Sequence, residues 1–178
     1  MQYENHIKEL VAWFEQNQYE PWQVDHTHPT PQEFVRIIKN EFAKYISADF
    51  IDNRFALPPG FAEYIQIMPA TYLYNKGWIK FFDAKNILEC SDYYLSSYVE
   101  DTMVFLEEDN DFKGGIFWVP FGEWSDKHTY YICCDKASPD FGMVVDAHDN
   151  NPGCNKDFVN SDYNWNSFMT FIEARDFG

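Results

Sequence analysis

A chain of 178 residues fits one domain, and with 46% apolar and 20% aromatic residues it carries enough bulky rings for a core, which excludes disorder for most of its length. Its 29 acidic side chains against 13 basic ones give a formal charge of −16, which repels phosphates and argues against direct nucleic-acid binding. The first ten residues hold no apolar leader and nowhere do eighteen apolar residues run together, so a cytoplasmic protein that neither spans nor binds a membrane is expected.

From the N-terminus, Ile7, Leu10, Val11 and Phe14 recur at spacings of three and four and predict a helix over 3–18. The polar stretch Pro21 to Pro29, with His26 and His28, reads as a loop. A second helix has the strongest start signal. Thr30 is its N-cap, Pro31 its first residue and Glu33 the partner that closes a capping box. Its stripe Phe34, Ile37, Ile38, Phe42 and Tyr45 takes it to about Ile46. Pro58 and Pro59 then stop any earlier helix and start a short one through Phe61, Tyr64 and Ile65.

At Ala70 the period changes from helical to extended. Thr71–Tyr74 and Trp78–Phe82, joined through Asn75-Lys76-Gly77, predict a hairpin. Residues 84–98 read as helical around Ile87, Leu88 and Leu95. Strands are predicted at Met103–Leu106, at Ile116–Phe121 (closed by Pro120 and Gly122), at Thr129–Cys134 and at Met143–Ala147. The last three should form an antiparallel meander, with Ser138-Pro139-Asp140-Phe141-Gly142 as a turn. Lys113-Gly114-Gly115 is another turn, without the spacing of a phosphate-binding loop. After a polar loop around Asn150–Gly153, Trp165, Phe168, Met169 and Ile172 mark a C-terminal helix. Helices first, strands in the middle and a closing helix make an α+β fold, a mainly antiparallel sheet flanked by N- and C-terminal helices in a single domain over 1–178.

Charge is unevenly spread. Residues 83–178 hold 19 acids and 6 bases, a net −13, so an electrostatic partner should be basic and should meet this half. The candidate contacts are the acidic turn Glu107, Glu108, Asp109 and Asp111, together with Glu123, Asp126, Asp135, Asp140, Asp146 and Asp149 at strand ends; a merely solvated rim is the plain alternative. Asp146, His148 and Asp149 could serve a small metal-dependent hydrolase, but no H-x-x-x-H, H-E-x-x-H or C-x-x-C supplies further ligands, so neither metal nor cofactor is expected. The four cysteines, Cys90, Cys133, Cys134 and Cys154, read as reduced thiols. In a strand, one of the neighbours Cys133 and Cys134 should face the core and the other should not. Neither sits on the strand-turn-helix elbow of a nucleophile, and no catalytic residue is assigned.

Three segments carry a family resemblance. Leu57-Pro58-Pro59-Gly60-Phe61-Ala62-Glu63-Tyr64-Ile65 is similar to an early Leu-Pro helix start. Val119-Pro120-Phe121-Gly122-Glu123-Trp124-Ser125-Asp126 through Tyr131-Ile132-Cys133-Cys134-Asp135 is similar to a central Pro-Phe-small core with a strand ending in Asp. Trp165-Asn166-Ser167-Phe168-Met169-Thr170-Phe171-Ile172 is similar to a terminal Trp…Ser-Phe helix. In this order and spacing they resemble the SUKH superfamily, also called Smi/Knr, over about residues 55–174, with residues 1–50 as a helical extension. The resemblance implies an α+β domain that acts by binding and, in bacteria, an immunity protein for a polymorphic or contact-dependent toxin, often a nuclease. It brings no catalytic motif. Some eukaryotic relatives suggest a regulatory adaptor instead.

Overall fold

The capping box is formed as the sequence requires. In the computed structural model, which describes residues 3–17, 20–21, 29–73, 79–89, 114–124, 128–148 and 164–174, the Glu33 amide donates to Thr30 Oγ1 at 3.2 Å and the Thr30 amide donates to Glu33 Oε2 at 2.9 Å. These bonds to Thr30 hold the Glu33 carboxyl below its ordinary pKa.

Helix α1 spans Glu4–Gln16 and buries Ile7, Leu10 and Phe14, while Val11 stays half-buried. Helix α2 spans Pro31–Phe42 and ends a turn earlier than its stripe predicts. The amides of Tyr45 and Ile46 both donate to the Phe42 carbonyl, which tightens the chain and turns Ile46 into the core. An unforeseen helix, α3 (Ala48–Arg54), follows with Ile51 as its buried residue. Helix α4 (Phe61–Ile67) forms as expected behind the two prolines. Its N-cap, Gly60, sits at φ +83°, where a side chain would be strained. A helix over 84–89, α5, is the described part of the one predicted for 84–98.

The sheet holds seven described strands in chain order: β1 (Glu20–Pro21), β2 (Thr71–Leu73), β3 (Ile79–Phe81), β4 (Trp118–Trp124), β5 (His128–Cys133), β6 (Val144–His148) and β7 (Asn164–Trp165). Each pairs antiparallel with the next, and α6 (Phe168–Ala174) closes the chain. The fold is α+β, with the predicted meander at its centre. The expected strand at 103–106 and the loops at 22–28, 75–77 and 150–153 lie outside the described residues.

The sheet also departs from the sequence reading at β4 and β7. Strand β4 does not stop at Pro120 and Gly122 but runs through both, because the register shifts between them in a bulge that accommodates the missing proline amide. Gly122 is needed there, since a Cβ would stand 2.8 Å from the Lys80 carbonyl oxygen. Trp165 pairs with Val144 in β7 instead of opening the C-terminal helix.

On one face of the sheet Phe81, Phe121 and Tyr130 meet Phe171 of α6, and Phe14 of α1 packs on Phe81. A single buried cluster runs from Ile7 to Ile172, so the N-terminal helices share the core of the rest. Thr129, Tyr131 and Cys133 point to the opposite face and are buried too. That second covered face is why Cys133 and Cys134 are both buried, against the expectation of one exposed thiol; the Cys133 sulfur lies where a side chain on Gly115 would have to stand.

Candidate interaction site

Strand pairing brings three side chains together at one end of the sheet. Trp124, the last residue of β4, is paired with His128, the first of β5, so both leave the same face. Asp146 of β6 is paired with Tyr130, two residues along from His128 and on that face as well. The Trp124 indole Nε1 donates to Asp146 Oδ2 at 2.6 Å, and Asp146 Oδ1 lies 2.9 Å from His128 Nδ1. The Trp124 and His128 rings stack with centroids 4.1 Å apart and planes 29° from parallel. The Asp146 side chain is 3% exposed and the His128 side chain 25%. A buried carboxylate therefore anchors two partly exposed rings from beneath, and the rings hold one another.

The sequence reading placed Asp146 with His148 and Asp149. In the structure both of its oxygens are engaged by Trp124 and His128 instead; His148 stands opposite His128 in the register, and Asp149 lies outside the described residues. Trp124 and His128 were missed. The turn centred near Ser138 could have found His128, because folding β5 and β6 about it sets His128 beside Asp146.

Of the other acidic candidates, Asp135 is fully buried and internal. Arg54 Nε and its terminal amino group donate to its two oxygens at 3.0 and 2.6 Å, and the Ile116 and Ala137 amides donate to it as well. An aspartate ending a strand looked like surface charge; here the chain passes beside α3, with Phe55 and Asp135 in a lone bridge, and its carboxylate locks the two together. It presents no charge to a partner. Asp140 accepts from the Gly115 amide within its turn, and Glu123 pairs with Lys80 across 3.5 Å. Glu107, Glu108, Asp109, Asp111 and Asp126 lie outside the described residues, as do His26, His28, Cys90 and Cys154.

Burial pushes both remaining thiols, Cys133 and Cys134, well above the ordinary cysteine pKa, so neither forms the thiolate a nucleophile needs. With the native protein at pH 8, neither should react with a thiol reagent until urea is added. Because the folded values are raised, the stability these thiols contribute is whole below the unfolded pKa near 8.5 and declines above it, by about 1.4 kcal/mol per pH unit for each. A urea-unfolding series from pH 7 to 10 checks the sign; a stability that rises with pH would contradict the burial.

Among the described residues no group of three His, Cys, Asp and Glu side chains could hold a metal ion, and no helix is long and apolar enough to cross a membrane. The chain matches no family model, and no curated protein or solved structure is significantly similar to it.

Proposed function

We propose that the chain is an immunity protein that binds a basic toxin domain, a nuclease being one class of such toxin, and blocks it without chemistry of its own. The net −13 of residues 83–178 carries this reading. A field of that sign accelerates encounter with a basic surface and disfavours nucleic acid. The resemblance over residues 55–174 points to the same class of partner. Asp135, Asp140 and Asp146 are committed within the fold. The steering charge is accordingly assigned to the acidic run Glu107, Glu108, Asp109 and Asp111, with Asp126 and Asp149.

Co-expression with the toxin domain encoded beside its gene tests the reading. Cells should survive with the intact protein and die without it; death despite a soluble, folded product removes the proposal. Reversal of the four residues of the acidic run to lysine should slow association by about tenfold or more at low salt and flatten its salt dependence. An unchanged association rate would exclude that run.

A further inference from the structure

We propose that the stacked Trp124–His128 pair is the point at which this protein seats an arginine of its basic partner, an inference that rests on the binding role proposed above. Affinity in protein interfaces concentrates in a few rigid aromatic anchors, and rings that are ordered before binding lose little freedom on contact. Trp124 meets that requirement among the described residues. Its indole N–H is tied to Asp146, its ring is stacked on His128, and it remains partly exposed at the end of the sheet.

The chemistry favours a guanidinium. A planar cation stacks on an indole face and gains from its quadrupole, and the Asp146 carboxylate beneath adds negative potential that water screens poorly. In the sequence, Asp126 falls between Trp124 and His128. An ammonium has no flat face to stack, which separates arginine from lysine at equal charge.

Charge-matched probes test this. Nona-arginine and nona-lysine are titrated into the full chain at pH 8 and 150 mM salt, with the Trp124 indole N–H resonance identified by its loss in W124F. The intact protein should bind nona-arginine roughly tenfold more tightly than nona-lysine, with that resonance shifting most among the indoles. The preference should vanish in W124A and persist in W124F, which keeps a ring. A wild-type protein without the preference, an unmoved Trp124 resonance, or a folded W124A that retains the preference overturns the assignment. The resonance is read in the wild type, so a W124A that fails to fold leaves the decision intact. Failure of toxin protection alongside an intact arginine preference would remove the immunity reading and spare the arginine site.

Discussion

Replacing Asp135 with alanine is expected to lower the free energy of unfolding by about 3–5 kcal/mol, the range for breaking a buried ion pair from one side. Its carboxylate is fully buried and receives two bonds from Arg54 and one each from the Ile116 and Ala137 amides. Without it, two amides lose their acceptor and a guanidinium stacked 5.1 Å from the Phe50 ring is left in the gap. Arg54 is 24% exposed and can take up some water, so the lower end of the range is expected. The linkage also joins α3 to the end of β5: the Lys136 amide donates to the Arg54 carbonyl and the Ala56 amide to that of Cys134. Urea unfolding measures the loss. A change below about 1 kcal/mol would show that the pair is dispensable.

Phe121 to alanine should cost a similar 3–5 kcal/mol, for a different reason. The bulge in β4 turns this ring into the centre of an aromatic cluster, with Phe61, Tyr64, Phe168 and Phe171 at centroid distances of 6.0, 5.8, 5.6 and 5.4 Å. Its carbonyl also accepts from the Phe82 amide and the Tyr64 hydroxyl. Removing the ring leaves a cavity among side chains drawn from α4, β5 and α6, which cannot all collapse into it. Phe121 to leucine should recover more than half of the loss. If alanine and leucine were equally tolerated, the cluster would not be the organising part of the core.

The elements legible in the sequence were those with strong local chemistry. Thr30, Pro31 and Glu33 announced α2, Pro58 and Pro59 announced α4, and Gly142, at φ +83°, closed the turn the residues 138–142 required. Helix α3 was silent because Ile51 is its only buried residue and one position makes no stripe. Pro120 and Gly122 misled because breaker residues end a strand by local rules, whereas a bulge uses both inside one. The site was legible only in part. Asp146 stood out by its charge, but its partners lie 18 and 22 residues away, and only strand register brings them to it. Asp135 resembled surface charge for the same reason: Arg54, 81 residues earlier, gives no local sign of its role.

The neighbour-only order of the strands bears on how the chain assembles as it leaves the ribosome. Each described strand after β1 pairs with the described strand made before it, so the described sheet can lengthen along one moving edge during synthesis. The contacts of the N-terminal helices do wait, and that of Arg54 is the charged one among them. Its guanidinium must stay hydrated until the carboxylate 81 residues downstream has emerged, which makes that closure a late event and leaves the nascent N-terminal half unsecured until β5 is complete.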